Sequence, residues 1–147
     1  MTALATTDAA TQTAAMATLK KKLRQLPQLS IATQHLIHGG MYARTVFIPA
    51  GSVVTGAKTN LDNICTVSGD VTVSTDKGVI RLTGYHVIPA NSGYSRAVYA
   101  HADTHWTTFL VTDSDNVQAI EQAMTDDAAT LQTRASIGND LHKIIKG

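Results

Sequence analysis

Short runs of alternating apolar and polar residues fill the middle of the chain, over residues 31–112. Alternation with a period of two is typical of strands that bury one face, and turn-forming residues separate the runs. Gly69-Asp70 and Asp76-Lys77-Gly78 are the clearest turn signals and are each predicted to join two strands. The predicted strands are residues 41–48, 52–57, 63–68, 71–75, 79–82, 85–88, 94–101 and 105–112. Short strands without intervening helices predict a mainly β chain folded as a small jelly roll.

A short helix is predicted before the β region. Leu19, Leu23 and Leu26 recur at i, i+4 and i+7, which places them on one face of a helix that starts near Ala14. Pro27 is expected to end this helix, because proline disfavours the helical conformation in the residue before it. The residues before Ala14 are small and polar, and we expect them to form a mobile arm.

A second helix is predicted after the β region, with Ser114 or Asp115 as its N-cap. Its apolar residues recur at spacings of three and four: Val117, Ile120, Met124, Ala128 and Leu131. This stripe is expected to dock on the barrel or on another subunit. The organisation predicted is an arm and helix over residues 1–30, a barrel over 31–112 and a helical extension over 113–147.

Apolar residues in both extensions are expected to be covered by a partner, which predicts a homo-oligomer. The tail contributes an apolar set too short to form a stable helix alone. The residues predicted to make oligomer or partner contacts are Leu19, Leu23, Leu26, Val117, Ile120, Met124, Leu141, Ile144 and Ile145.

Composition narrows the functional classes. With 147 residues the chain has room for one domain, and 12 basic against 11 acidic residues give no field that would attract nucleic acid or an anionic membrane. A single cysteine, Cys65, excludes an intramolecular disulfide and is expected to be a buried, inert thiol. No apolar run is long enough to span a bilayer, and the N-terminus lacks the features of a signal peptide.

The basic cluster Lys20, Lys21, Lys22 and Arg24 allows two interpretations. It is the solvated side of the first helix, or it lies on an acidic neighbouring subunit or on nucleic acid. The segment has no aromatic residue on which bases could stack, so binding to a single strand is not expected.

Several motifs of the β region resemble those of the small cupin-like proteins encoded by tailed bacteriophages and prophages. They are Met41-Tyr42-Ala43-Arg44-Thr45, Ile48-Pro49-Ala50-Gly51, Thr55-Gly56-Ala57, Ser68-Gly69-Asp70, Leu82-Thr83-Gly84-Tyr85 and His101-Ala102-Asp103-Thr104. The resemblance covers residues 35–127 and implies a cupin-like jelly roll in a phage setting. We therefore expect a non-catalytic structural protein that decorates or cements the capsid or belongs to the tail. It would be made in the host cytoplasm, reside in the virion and contact other phage structural proteins.

The metal ligands of cupins are missing from the positions that the resemblance assigns to them. Aligning Gly69 with the first cupin motif places Asp62 at its glutamate position, but no histidine lies between His38 and His86. In the second motif Arg96 stands where the histidine belongs, and an arginine cannot lose its proton to become a ligand. The usual metal centre, and with it any cofactor, is not expected.

His101 and Asp103 offer a weaker metal alternative. On one strand both side chains would lie on the same face, within reach of a shared ion, and His105 would follow on that face. The competing interpretation is a bend between two strands, in which Asp103 accepts hydrogen bonds from nearby backbone amides.

Arg44 and Arg96 are the remaining candidates for ligand binding. Arg44 shares a strand face with Tyr42, Val46 and Ile48. We expect both arginines on the outer face, where their stems can cover apolar surface. If they point inward, each needs a counter-charge such as Asp62, or an anionic ligand. The second functional hypothesis is therefore a protein that sequesters an anionic small molecule, such as a host defence signal.

Overall fold

The computed structural model describes residues 9–26, 31–75, 77–126 and 128, and in this part of the chain it confirms the mainly β prediction. Two helices flank seven strands. The elements are α1 (Ala9–Arg24), β1 (Thr33–His38), β2 (Met41–Ile48), β3 (Val53–Thr55), β4 (Asn63–Thr75), β5 (Gly78–Ala90), β6 (Ala97–Ala100), β7 (Thr104–Val111) and α2 (Val117–Met124). Within these described ranges no helix is both long and apolar enough to cross a membrane.

The long strand β4 organises the sheet. One edge of β4 pairs along its whole length with β5, and the other edge pairs first with β7 and then with β6. The sheet extends from β7 through β2 to β1 in one direction and from β6 to β3 in the other. All of these pairings are antiparallel, and the sheet curls around an interior that contains its largest apolar cluster.

Gly69-Asp70 does not form the predicted hairpin turn, because β4 continues through it from Asn63 to Thr75. The dipeptide marks the point where β4 changes partner from β7 to β6. The Asp70 carbonyl accepts hydrogen bonds from the amides of His101 and Ala102, and the Asp70 amide donates to Thr104 Oγ1 at 3.2 Å. The second turn signal was correctly interpreted, since β4 and β5 are joined there.

Two other strand predictions were wrong for identifiable reasons. β1 was not predicted, because its inward positions include Thr33 and His35 and the run therefore lacks apolar alternation. β5 was predicted as two strands that end before Pro89, whereas it runs unbroken to Ala90. A proline is tolerated there because β5 lies at an edge of the sheet, where the proline nitrogen needs no ladder partner.

The helices begin and end differently from the predictions. α1 begins at Ala9, five residues before the expected start at Ala14, and ends at Arg24. Asn116, rather than Ser114 or Asp115, caps α2: its Oδ1 accepts a hydrogen bond from the Ala119 amide at 3.0 Å. The predicted tail contacts, Leu141, Ile144 and Ile145, lie outside the described residues, as does Leu131.

α2 packs on the barrel of its own chain through the apolar stripe predicted from its sequence. Ile120, Met124 and Ala128 form a second buried cluster with Ile37, Tyr42 and Leu110 from the sheet. Ile120 and Met124 are therefore unavailable to another subunit, and their predicted role as oligomer contacts is wrong. Val117 is half-buried against the same cluster.

Candidate functional site

A cavity of about 550 Å³ lies inside the curled sheet, which is within the range of small-molecule sites. Its wall combines apolar side chains with polar atoms. The lining includes Val46, Ile48, Val54, Val98 and Trp106 on the apolar side and Ser52, Asn63, Cys65 and Thr108 on the polar side. These residues come from strands β2 to β4, β6 and β7 and from the flanking loops, so the sheet itself shapes the cavity. The predicted jelly roll thus encloses space as well as a core.

Arg96 lines this cavity, contrary to the expected outward orientation. Its Nη2 donates to the Pro89 carbonyl at 2.9 Å, and its Cζ lies 5.9 Å from the centroid of the Trp106 ring. The remaining terminal nitrogen, Nη1, is buried and has no hydrogen-bond partner among the described residues. A buried guanidinium N–H without an acceptor is costly, so Arg96 has an unused donor.

The backbone around Arg96 is fixed from both sides. Its carbonyl accepts from the Gly56 amide at 2.8 Å, and the neighbouring Ser95 hydroxyl donates to the Gly56 carbonyl. On the other side, the Ala97 amide donates to Ser74 Oγ at 2.8 Å. These contacts tie the segment before β6 to both β4 and the loop after β3. The backbone position of Arg96 is therefore set by its contacts with these neighbouring segments.

Arg44 also lines the cavity, but it is already paired. Its Nη1 donates to Glu121 Oε2 at 3.0 Å, and both side chains are almost completely buried. Glu121 comes from α2, 77 residues further along the chain, and was not identified as a candidate from the sequence. Its position in the sequence could have identified it, because a charged residue there lies on the apolar face of α2, four residues after Val117 and three before Met124. Arg44 is thus neutralised, which leaves Arg96 as the better candidate for an external anion.

A buried hydrogen-bonded pair continues the network from Arg44 into the sheet. His35 Nδ1 lies 2.7 Å from the Tyr42 hydroxyl, and both side chains are inaccessible to solvent. Burial raises the pKa of Tyr42 to about 12, against the opposing effect of the neighbouring Arg44 guanidinium. Tyr42 therefore stays neutral and can act as a hydrogen-bond donor throughout the physiological pH range.

Replacing Tyr42 by phenylalanine should change how stability depends on alkaline pH. Between pH 10 and about 12 the unfolded tyrosine ionises while the folded one does not, so the wild type should lose up to about 3 kcal/mol of unfolding free energy. Tyr42→Phe should remove this component and cost about 1 kcal/mol at neutral pH through the lost hydrogen bond. Urea titrations of both proteins at several pH values measure the difference. Parallel pH curves would show that Tyr42 is not the group responsible.

The cavity does not fit the metal set that cupins use. Among its described lining residues there is no histidine, aspartate or glutamate, whereas three arginines, Arg24, Arg44 and Arg96, line it. Cys65 and Met124 are the sulfur-containing residues there, and the Cys65 Sγ lies 3.3 Å from Asn63 Oδ1 and 3.6 Å from Thr108 Oγ1. The described lining therefore lacks the imidazoles and the carboxylate that hold the metal in cupins. Nor do three or more His, Cys, Asp or Glu residues cluster elsewhere in the described ranges.

Three other candidate residues lie outside the cavity. Asp62 is exposed and accepts from the Ser92 amide at 2.7 Å, so it contacts neither arginine. His101 lies 2.7 Å from Thr72 Oγ1, and Asp103 accepts from the Ala50 amide at 2.9 Å. The strand that the weaker metal alternative requires is absent, because β6 ends before His101 and β7 begins after Asp103. Asp103 instead holds a bend to the loop after β2, as in the favoured interpretation.

The N-terminal helix adds positive charge beside the cavity. Lys20 and Arg24 line both the cavity and an adjoining hollow of about 700 Å³, which Lys58 and Lys77 also border. Arg96 is shared by the two spaces, and no described residue that lines either one is acidic. Lys21 and Lys22 are exposed, so the basic cluster is divided between solvent and the walls of these two spaces.

Comparisons with solved structures identify the fold. A cupin superfamily protein from Desulfitobacterium hafniense is similar with a TM-score of 0.50 at 12% identity, over 60% of this chain and 83% of that one. KdgF from Halomonas sp. is similar with a TM-score of 0.50 at 18% identity, over 62% of this chain and 88% of that one. No family model matches the sequence, and no curated protein does. The predicted cupin-like jelly roll is thus confirmed as a fold, and nothing in these likenesses indicates a phage origin.

Proposed function

We propose that the protein binds a small organic anion inside the barrel, with Arg96 as the anchoring residue, and that it does so without catalysis. The observation that carries this proposal is that Arg96 lines a cavity of about 550 Å³ while its Nη1 is buried without a hydrogen-bond partner among the described residues. A carboxylate or phosphate oxygen within reach of Nη1 would supply the missing acceptor through a charge-assisted hydrogen bond.

The surroundings of Arg96 define what kind of anion fits. The apolar wall favours a ligand whose charged group is attached to an apolar body, since such a body gains free energy when it leaves water. Trp106 lies beside the guanidinium and offers this body a flat surface. Lys20 and Arg24, which line both the cavity and the adjoining hollow, add positive charge that attracts an anion.

The chemistry of the described lining supports binding without turnover. A general base or an activated nucleophile needs a titratable partner within hydrogen-bond reach, and the described lining contains no histidine or carboxylate. Cys65 is buried, with Asn63 and Thr108 rather than a base beside it. The shape and the positive charge of the cavity suit it to binding a ligand.

Anion binding is tested by adding benzoate, AMP and inorganic phosphate separately to the full chain in a thermal-shift assay and by calorimetry. A probe that fits should stabilise the fold by about 2.7 kcal/mol when present at a hundred times its dissociation constant. Inorganic phosphate has no apolar body, so it should bind more weakly than the organic probes. The absence of stabilisation by all three would contradict the proposal.

Replacing Arg96 by methionine should strongly reduce the response to these probes while the protein stays folded. The loss of the charge-assisted contacts should weaken binding by about a hundredfold. Removal of the buried unpaired donor stabilises the fold, and loss of the hydrogen bond to the Pro89 carbonyl destabilises it, so the unfolding free energy should change by no more than about 1 kcal/mol. Arg81→Met is the matched control: Arg81 is exposed and paired with Asp70 at 2.8 Å outside the cavity, so this variant should bind as the wild type does. Wild-type binding by Arg96→Met would overturn the assignment.

The structural role in a virion that the sequence led us to expect stays a prediction. Detection of the polypeptide in a peptide digest of purified particles would test it.

A further inference from the structure

A row of apolar side chains crosses five adjacent strands on the outside of the sheet. The register places Leu36 of β1 opposite Ala43 of β2, Ala43 opposite Phe109 of β7, Phe109 opposite Ile64 of β4, and Ile64 opposite Pro89 of β5. Residues that face each other in antiparallel strands lie on the same side of the sheet, so all five project outward. The row is continuous from one edge of the sheet to the other.

The neighbouring positions extend this apolar surface. We call the outward residues of β1, β2 and β7, with those of β4 up to Ser68 and of β5 from Tyr85, the outer face. In addition to the row it exposes large apolar side chains of Met41, Tyr85, Val87 and Val111, of which Val111 is 85% exposed. The other outward residues are threonine, serine, glutamine, histidine and Phe47, and none is Asp, Glu, Lys or Arg.

Charge reappears where the outer face ends. Beyond Ser68 the next outward position of β4 is Asp70, which forms a bidentate ion pair with Arg81 of β5. An uncharged apolar centre with a charged pair at its border has the arrangement of a protein interface, whose core is depleted of charge and whose rim is polar. A face that contacted only water would not be expected to combine an apolar centre with a charged border.

The outer face is large enough for a dimer. Five strands about 4.8 Å apart, with outward residues spaced about 6.8 Å along each strand, give roughly 500 Å² per copy. Two copies would bury roughly 1,000 Å², which is the lower limit of a specific interface. A charged partner finds no complementary charge on this face, whereas a second copy presents the same apolar row and the same polar rim.

We infer that the outer face is the interface of a homodimer, in which two copies of this chain pack sheet against sheet around a two-fold axis near Phe109 and Ile64. The inference is independent of the proposed ligand site, which lies on the opposite side of the sheet. It places the expected homo-oligomer contacts on the strands instead of on Ile120 and Met124.

Sedimentation equilibrium of the full chain, over a wide range of concentrations, tests the inference. The wild type should be a dimer, and Ile64→Lys should weaken self-association by at least about a hundredfold, because a two-fold axis brings two buried lysines close together. Phe109→Lys should have the same effect. Phe109 is only 36% exposed while Ile64 is 53% exposed, so Ile64→Lys keeps the test valid if Phe109→Lys fails to fold.

Leu61→Lys is the matched control, since Leu61 is an exposed leucine in the loop before β4 and lies outside the outer face. It should dimerise as the wild type does, with thermal melts to confirm that all variants are folded. A monomeric wild type would overturn the inference, because the outer face would then bind a partner other than a second copy of this chain. A folded Ile64→Lys variant that dimerises with wild-type affinity would overturn it as well.

Discussion

Glu121→Ala should lower the free energy of unfolding by about 3 kcal/mol, because it leaves the Arg44 guanidinium buried without a counter-charge. The carboxylate accepts the Arg44 Nη1 hydrogen bond at 3.0 Å, and Glu121 is 3% exposed. We expect the lower end of the range for broken buried pairs, since Arg44 borders a cavity that can admit water. Urea unfolding of the variant and of the wild type measures the difference.

Gln122→Ala is the control for the change in helix propensity, since Gln122 is the exposed neighbour of Glu121 on α2. It should be within about 0.5 kcal/mol of the wild type. The double variant Arg44→Met/Glu121→Met should be more stable than Glu121→Ala, because an apolar pair of similar volume needs no hydrogen bonds. Equal stability of Glu121→Ala and Gln122→Ala would mean that the ion pair contributes nothing to the fold.

The strand face of Arg44 could be predicted from the sequence, but the direction in which that face points could not. Arg44 alternates with Tyr42 and Ile48, and the structure buries both, so the period of two correctly grouped these residues. The outward assignment rested on the cost of burying a guanidinium, and that cost is offset here by Glu121 from a distant helix. Because Glu121 lies 77 residues after Arg44, nothing in the sequence around Arg44 indicates this ion pair.

An element of the fold could be predicted from the sequence where a single local pattern determined its bounds. β2 was predicted with its observed bounds, because an alternating run ends there at Pro49-Ala50-Gly51. β4 and β5 were each divided in two, because Gly69 and Gly84 have the composition of turns but lie within strands. A glycine is needed at position 69 because β4 and the start of β7 approach each other closely there. This approach depends on tertiary packing and cannot be recognised in the local sequence.

Gly69→Ala should be among the most destabilising single substitutions in the sheet, with a loss of about 3 kcal/mol. A methyl group on Gly69 would lie 2.7 Å from Thr104 Cβ and 2.8 Å from Thr104 Cα. The second of these atoms belongs to the backbone, so no rotamer change can relieve the overlap. Thr104 is also held in place, because its hydroxyl accepts from the Asp70 amide and donates to the Ala102 carbonyl at 2.9 Å. The strain must therefore separate β4 from the start of β7.

Gly56→Ala provides the comparison, since a methyl group there would meet the Arg96 carbonyl oxygen at an ordinary 3.8 Å. It should remain within about 0.5 kcal/mol of the wild type. Thr104→Ser should not rescue Gly69→Ala, because serine keeps the Cα and Cβ atoms that cause the overlap. Thermal and urea unfolding of these variants measure each effect. Wild-type stability of Gly69→Ala would show that β4 and the start of β7 are further apart than the hydrogen bond from the Asp70 amide to Thr104 requires.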